Sequence, residues 1–177
     1  VSRDGQPMAA TCERVNERGV FLLDRPEDSI TFTGVTSRPV PSVFRGFSAP
    51  VKVSLDLSNA DLIVLLQHDP DAFNRWQAAQ TVAMRMLVSL STGAAVSDAE
   101  MNSLFEAFCA FMDSEAMNDP AFAALVLTLP SEADIAQDIG TDVDPDAIHL
   151  ARKGMRRNLG RFCFSRLMDF YRSLAQS

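Results

Sequence analysis

The stretch SRPVPSVFRGFSAPVKVSL, Ser37–Leu55, combines a strand-like alternation of apolar residues with three prolines, Pro39, Pro41 and Pro50. Proline lacks the backbone N–H that a strand donates to its neighbour, so it occurs at strand starts, bulges and sheet edges. This stretch, called the junction segment below, therefore cannot form one ordinary central strand. After Leu57 the apolar spacing becomes helical, so the segment is predicted to join a β-rich part to an α-rich part.

The first third of the chain contains three short runs of strand character. They are GVFLL (Gly19–Leu23), SITFTGV (Ser29–Val35) and APVKVSL (Ala49–Leu55), all rich in β-branched or aromatic residues. We expect antiparallel strands with one buried face. Three or four strands are fewer than the roughly seven of a complete sandwich. Residues 1–56 are therefore predicted to form a partial antiparallel β-sandwich.

Beyond Leu57 the apolar residues recur every three or four positions, as in amphipathic helices. The predicted helix starts are Ser58, Ala72, Ser97, Asp119, Ser131 and Asp144. Most of these are Ser or Asp, whose side chains cap free N–H groups. The last helix is predicted to continue without a break to Leu174. Because short connections favour antiparallel helical hairpins, residues 57–177 are predicted to form a solenoid-like helical array.

Composition sets limits on the class of protein. At 177 residues and 47% hydrophobic content the chain can bury a core, and it contains no apolar run of membrane-spanning length and no signal-peptide pattern. Cys12, Cys109 and Cys163 are odd in number and lack CxxC spacing. This pattern favours three buried thiols in a reducing compartment over a disulfide framework, so a cytoplasmic location is predicted.

Charge is distributed unevenly along the chain, whose net charge is −7. Basic and acidic residues number 7 and 7 in residues 1–56, 2 and 15 in residues 57–150, and 7 and 1 in residues 151–177. A basic end can bind nucleic acid. Here the acidic middle would repel a polyanion, so we expect the basic helix face to meet solvent or the chain's own acidic residues, with no nucleic-acid partner.

Few residues offer catalytic or metal-binding chemistry. The only histidines of the sequence, His68 and His149, lie in different predicted helices, and no His-Glu-x-x-His pair occurs. Both positions fit structural roles near helix ends. The sequence contains no Gly-x-Ser-x-Gly elbow, glycine-rich phosphate loop or calcium-loop spacing. No catalytic, cofactor-binding or metal-binding residue is assigned.

Two further features favour packing over binding. In FNRWQAAQ, Trp76 is predicted to be a buried anchor of the first helical hairpin, while Arg75 caps or bridges to a neighbour. A set of phenylalanines has the spacing of either a binding patch or, more commonly, a core. Its members are Phe44, Phe47, Phe105, Phe108 and Phe111.

Four stretches together carry a family resemblance. RPVPSVFRGFSAPVKV, LLQHDPDAFNRWQAAQTVA, LTLPSEADIAQ and VDPDAIHLARKGMRRNL occur in this order and spacing from about residue 19 to the C-terminus. The sequence resembles the bacterial aminopeptidase N family of zinc-dependent aminopeptidases. The resemblance implies four domains in the parent protein, including a catalytic domain with a His-Glu-x-x-His zinc site. It implies that residues 1–56 are the C-terminal part of an Ig-like β-sandwich domain and residues 57–177 the start of a C-terminal helical domain.

The family's zinc ligands, substrate motif and catalytic tyrosine have no counterpart in this sequence. The resemblance therefore implies a non-catalytic part that spaces and covers the active site of a peptide-cleaving parent, with zinc held elsewhere. Its partners would be the parent's catalytic domain and peptide substrates. The alternative is a free-standing β-plus-helical interaction module. We also expect self-association through an unpaired β-edge or through the helix that ends near Ser177.

Overall fold

The computed structural model describes the chain except for residues 3, 7, 9, 17–18, 48–50, 52, 116–117 and 176–177 and the side chains of residues 47 and 115. A 3₁₀ turn over Arg45–Phe47 precedes the helices of the described residues. These are α1 Asn59–His68, α2 Ala72–Ser91, α3 Asp98–Glu115, α4 Pro120–Leu127, α5 Glu132–Ile139, α6 Pro145–Phe162 and α7 Phe164–Leu174. The predicted helical array is confirmed.

Helices α1 to α6 begin where a side chain satisfies one of the first free N–H groups, whereas α7 begins after Cys163 without a side-chain cap. Ser58 Oγ accepts a hydrogen bond from the backbone N–H of Asp61, and the Asp61 carboxylate accepts one from the N–H of Ser58. Ser131 and Asp134 make the same reciprocal pair at the start of α5. These capping boxes depend on residues three positions apart, which explains why the starts could be predicted from local sequence.

Helix α2 lies at the centre of the array and packs against α1, α3, α4, α5 and α6. Its inward face carries Ala78, Ala79 and Ala83, each at most 2% exposed. Small side chains let neighbouring helices approach closely. Helix α3 supplies larger core residues, among them Phe108 and Phe111, each 1% exposed. The core therefore combines close contacts at the alanines of α2 with large side chains from α2 itself, such as Met86 and Leu87, and from the surrounding helices.

The partial β-sandwich predicted for residues 1–56 is wrong. In the described part of this region the structure contains one isolated antiparallel bridge, between Thr11 and Thr33. Their backbone groups exchange hydrogen bonds of 3.0 and 2.9 Å. No sheet edge exists among these described residues, so the predicted self-association through a β-edge loses its structural basis.

The runs predicted as strands have no layer to pack against. Leu22 and Leu23 are 76% and 60% exposed, and Phe32 is 47% exposed. A short strand with one apolar face is stable only when another layer buries that face. Within the run 49–55, residues 49, 50 and 52 lie outside the described residues, and the rest have no strand conformation.

Contacts between distant residues hold the N-terminal region. Val40 belongs to the core and is 1% exposed. Its backbone N–H donates to the Val1 carbonyl at 2.8 Å, and its carbonyl accepts from the Val1 ammonium at 3.1 Å. Arg14 Nη1 and Nη2 donate to the two carboxylate oxygens of Asp28 at 2.8 and 2.5 Å. Hydrogen bonds from the Arg14 guanidinium and from the Ser29 N–H lower the pKa of Asp28 to about 2.

Cys163 overturns two sequence-based predictions. Its backbone, with φ −95° and ψ 16°, leaves the helical region, so the last predicted helix is divided into α6 and α7. Cys163 is also joined to Cys109 by a disulfide, with their Cα atoms 5.9 Å apart, which leaves Cys12 as the free cysteine. The pairing spans 54 positions, so no local spacing could have predicted it.

Replacing Phe108 by alanine is expected to lower the free energy of unfolding by about 3 to 5 kcal/mol, as for large buried aromatic residues. Trp76→Ala should cost less, because Trp76 is only partly buried where the sequence predicted a buried anchor. Urea denaturation followed by far-UV circular dichroism measures both. An equal loss from the two variants would contradict the difference in burial.

Candidate functional site

Arg75 is more deeply buried than its neighbour Trp76, the reverse of the prediction. Arg75 is 8% exposed, and its Nε donates to the carbonyl of Leu66 at 2.9 Å. Its guanidinium carbon lies 4.7 Å from the centroid of the Phe111 ring, within cation–π range. The predicted bridge to a neighbour is therefore present. Trp76 packs at the edge of the core, 5.5 Å from the ring of Phe73.

The two histidines lie apart from one another. His149 Nδ1 is 2.9 Å from Glu132 Oε1, and both side chains are about half exposed at 54% and 49%. The His68 ring packs against Gly5, where a Cβ would lie 2.4 Å from the imidazole. In the described residues no group of three His, Cys, Asp or Glu side chains could hold a metal ion. These residues do not fit the zinc that the resemblance implies for the parent.

A polar cluster fastens the junction segment to the start of α2. Asp71 caps α2 by accepting from the N–H of Asn74 at 3.0 Å, and its second oxygen accepts from the N–H of Gly46 at 2.9 Å. The Asn74 amide donates to Ser42 Oγ at 3.0 Å and to the carbonyl of Val43 at 3.1 Å. Asp71, the N-cap of α2, and Asn74, in its first turn, thus hold three positions of the junction segment.

A charged pair extends this cluster to the end of α1. Arg45 Nε donates to Ser42 Oγ at 2.9 Å and lies 3.5 Å from Oδ1 of Asp69. The side chain of Asp69 is fully buried, and its Oδ1 also accepts from the N–H of Asp71 at 2.9 Å. Oδ2 of Asp69 has no hydrogen-bond partner among the described residues. The Arg45 charge therefore compensates a carboxylate that water does not reach.

Asp71 is ionised more readily than an ordinary aspartate. Burial alone would raise its pKa, but the N–H groups of Asn74, Gly46 and Phe73, together with the Arg45 charge, hold the pKa of Asp71 below its usual value. Because hydrogen bonds to a carboxylate favour its charged form, the cluster is built around a charged Asp71.

A cavity of about 740 Å³ lies between the junction segment and helices α1 and α2. Apolar side chains such as Phe44, Leu62 and Phe73 make up much of its lining. At one side Arg85 Nη1 donates to the carbonyl of Leu57 at 2.8 Å and to Asn59 at 3.1 Å. Among the described lining residues there is no paired nucleophile and base.

The phenylalanines whose spacing fitted either a binding patch or, more commonly, a core are divided between core and surface. Phe105, Phe108 and Phe111 are at most 2% exposed and belong to the core, whereas Phe44 is 41% exposed. The Phe47 side chain lies outside the described residues. Phe105, Phe108 and Phe111 therefore pack the core, and the described phenylalanines of this set do not form a continuous binding surface.

Helix α7 presents an exposed apolar face. Phe164, Tyr171 and Leu174 are 62%, 66% and 41% exposed, and they recur at helical spacing. No residue of α7 is fully buried. None of the described helices has both the length and the apolar composition needed to cross a bilayer. Exposed apolar faces of this kind are typical of surfaces that bind another element.

Two family models match the chain. One, described as a domain of unknown function (DUF3458_C) with ARM repeats, matches residues 59–177. The other, described as a domain of unknown function (DUF3458) with an Ig-like fold, matches residues 1–56. The helical description agrees with α1 to α7, whereas the described part of residues 1–56 forms a single bridge and no sheet.

Curated relatives share sequence with most of this chain. The aminopeptidase N of Caulobacter vibrioides is 36% identical over 152 residues, covering 86% of this chain and 17% of the relative. The aminopeptidase N of Escherichia coli is 32% identical over 163 residues, covering 89% and 18%, and that of Haemophilus influenzae is 33% identical over 144 residues, covering 79% and 16%. The chain thus spans less than a fifth of the length of these relatives.

A solved structure shares the fold. The crystal structure of Legionella pneumophila aminopeptidase A in complex with aspartic acid aligns with 100% of this chain and 21% of its own, at a TM-score of 0.67 and 20% identity. At this identity the comparison supports the arrangement of the chain and no residue role.

Asp71→Ala is expected to destabilise the protein by about 1 to 2 kcal/mol, because it removes an N-cap. It should also speed tryptic cleavage after Arg45, since the Gly46 contact is lost. Asp144→Ala is the matched control: it removes the cap of α6, which accepts from the N–H groups of Asp146 and Ala147 and does not touch the junction segment. Equal cleavage rates in the two variants would contradict the proposed fastening.

The effect of Asp71 should depend on pH. Its folded-state pKa is lowered, so its stabilising contribution is complete above the ordinary aspartate pKa and is lost as the pH falls towards the folded value. The difference in unfolding free energy between the unchanged protein and Asp71→Ala should narrow between about pH 6 and pH 3. A constant difference across this range would show that ionisation of Asp71 has no part in the fastening.

Proposed function

Because the chain belongs to the DUF3458_C family and to the aminopeptidase N family, we propose that it is a non-catalytic part of a zinc metallo-aminopeptidase that removes N-terminal amino acids from peptides. One observation carries the proposal: the chain belongs to the family but spans only 17% of the Caulobacter vibrioides aminopeptidase N. The chemistry would reside in the remainder of the parent.

The distribution of functional groups supports this division of roles. The sequence has two histidines and no His-Glu-x-x-His pair, and the described residues do not assemble a metal site. In the parent, zinc would polarise the peptide carbonyl and activate water in a separate catalytic domain. We assign no catalytic residue to this chain, and we derive no chemical step from it.

A covering role is supported by the firm attachment of the helical array to the junction segment. The junction segment is fastened to α2 by hydrogen bonds from Gly46 and Asn74, and the core is continuous from Val40 to α6. A rigid array at the end of such a segment could hold a fixed position over an active site and limit access to short peptides. The partners would be the parent's catalytic domain and its peptide substrates.

The second candidate function is a free-standing protein-interaction module. The observation that favours it is the exposed stripe of Phe164, Tyr171 and Leu174, which could bind a separate protein as readily as the rest of a parent. An upstream His-Glu-x-x-His in the same open reading frame would decide for the aminopeptidase part. Self-association through α7 and a cytoplasmic location stay predictions.

The covering role predicts a change in substrate length preference. In the full-length parent, Asn74→Ala should loosen the junction and raise kcat/KM for long peptides relative to that for an aminoacyl anilide, which needs no access beyond the first residue. Ser103→Ala is the matched control, since Ser103 is an exposed residue on α3 whose hydroxyl donates only within its own helix. An unchanged length profile in Asn74→Ala would contradict the covering role.

The isolated 177-residue chain should neither bind zinc tightly nor hydrolyse an aminoacyl anilide. Metal analysis after dialysis and a chromogenic assay measure the two properties. One tightly bound zinc per chain together with hydrolysis would overturn the proposal that the chemistry lies elsewhere in the parent.

A further inference from the structure

We propose that the Cys109–Cys163 disulfide is a redox-active bond that small thiols attack at Cys109, and that its opening releases helix α7 from helix α3. The proposal concerns this chain alone and does not depend on the proposed function.

The disulfide lies at the point where the last helix is attached to the array. Cys109 is on α3, and Cys163 is the residue between α6 and α7. Arg166 Nε binds the two oxygens of Asp113 at 3.0 and 2.8 Å beside it. Helix α7 otherwise contributes only partly buried side chains to the core. The covalent bond is therefore a large part of what fixes the start of α7.

A surface groove of about 360 Å³ reaches only one of the two sulfur-bearing residues. Its lining consists of Glu106, Cys109, Ala110, Asp113, Phe162 and Arg166. Cys109 is 3% exposed and faces this groove, whereas Cys163 is fully buried and is not part of the lining. Thiol–disulfide exchange requires access to the attacked sulfur, so Cys109, the cysteine that lines the groove, is the proposed point of attack.

The exchange balances with two equivalents of a small thiol as the reductant. A thiolate attacks Sγ of Cys109, a new S–S bond forms there, and the Cys109–Cys163 bond breaks. Cys163 leaves as a thiolate and takes a proton from solvent. A second thiolate then attacks the small-molecule sulfur of the mixed disulfide and releases Cys109. Two thiols are oxidised to one disulfide, and the protein disulfide is reduced to two thiols.

The charge of the groove favours one class of thiol. Two carboxylates, of Glu106 and Asp113, line it with one guanidinium, of Arg166. A cationic aminothiol should therefore accumulate at the groove more than an anionic thiol, and salt should weaken the preference.

The position of the Cys109–Cys163 disulfide is typical of a reducible bond. In reducing compartments, disulfides are transient and usually serve redox sensing or catalysis. A bond reached through a surface groove meets that description better than a sealed structural bond. Opening it would change how α7 presents Phe164, Tyr171 and Leu174.

The first experiment locates the attack. In a Cys12→Ser background the denatured, unreduced protein should contain no titratable thiol; two thiols would show that the disulfide does not form and would overturn the proposal. Brief treatment with cysteamine, acid quenching and peptide mass spectrometry should place the mixed disulfide on Cys109. An adduct on Cys163, or equal amounts on both, would overturn the proposed point of attack.

Rates test the charge argument. Cysteamine should open the disulfide several-fold faster than 2-mercaptoethanesulfonate at low ionic strength, after correction for the thiolate fraction of each reagent, and the ratio should fall in high salt. Glu106→Gln should reduce the ratio, whereas Asp138→Asn, on α5 outside the groove, should leave it unchanged. A ratio insensitive to salt and to Glu106→Gln would contradict an electrostatic preference.

Single-cysteine variants provide an independent test. In the Cys12→Ser background, Cys163→Ser leaves the groove-facing Cys109, and Cys109→Ser leaves the buried Cys163. Provided that circular dichroism shows both folded, Cys109 should react with an aromatic disulfide reagent at least about tenfold faster than Cys163. If either variant fails to fold, the mass-spectrometric location of the adduct in the two-cysteine protein decides the question.

Release of α7 is measured on the same protein. Reduction should decrease the folded-to-unfolded ratio by about 30-fold to 1,000-fold, as removal of disulfides commonly does. Amide hydrogen exchange should accelerate in residues 164–174 more than in the central helix α2. Uniform acceleration across both helices, or none in residues 164–174, would overturn the release of α7.

Discussion

The close packing of α2 against five other helices is the constraint on which the helical array depends. Ala78, Ala79 and Ala83 leave room for the neighbouring helices, and bulky residues of α3 fill the remaining space. Polar side chains of α2 then form hydrogen bonds with the helices that its apolar face packs against. Arg75 binds the end of α1, and Gln80 donates to the carbonyl of Thr128 at 2.7 Å, beyond α4. One helix thereby sets the position of most others.

The junction segment shows how proline can mark a boundary without forming a strand. Its prolines prevent a continuous ladder, yet its polar groups find partners in the first turn of α2. Asp71 and Asn74 supply these partners because a helix start carries unsatisfied N–H groups and the residues that cap them. The boundary could be predicted from the sequence, whereas its partners, 25 to 32 positions away, could not.

The sequence predictions succeeded where the interactions join residues close together in the sequence and failed where they join distant residues. Capping boxes such as Ser58 with Asp61 act over three residues, so the helix starts were predictable. The strands failed because a strand needs a second layer, and Leu22 and Leu23 have none in the described structure. Helical spacing could not decide which of the adjacent residues Arg75 and Trp76 is more deeply buried. Hydrophobicity favoured Trp76, whereas Arg75 is the more buried residue. The Cys109–Cys163 pair depends on the turn after α6, which sequence spacing did not reveal.

The uneven charge of the chain acquires a physical meaning in the fold. Basic residues of α6 and α7 contact the acidic or carbonyl-rich parts of the preceding helices: Arg152 donates to the carbonyl of Pro130 at 2.7 Å, and Arg166 binds Asp113. These contacts help to hold the last two helices against the array. Because the Arg166–Asp113 ion pair is exposed, salt and water weaken it. Salt does not weaken the disulfide at Cys163, so the attachment of α7 depends on redox conditions through the disulfide and on ionic strength through the ion pair.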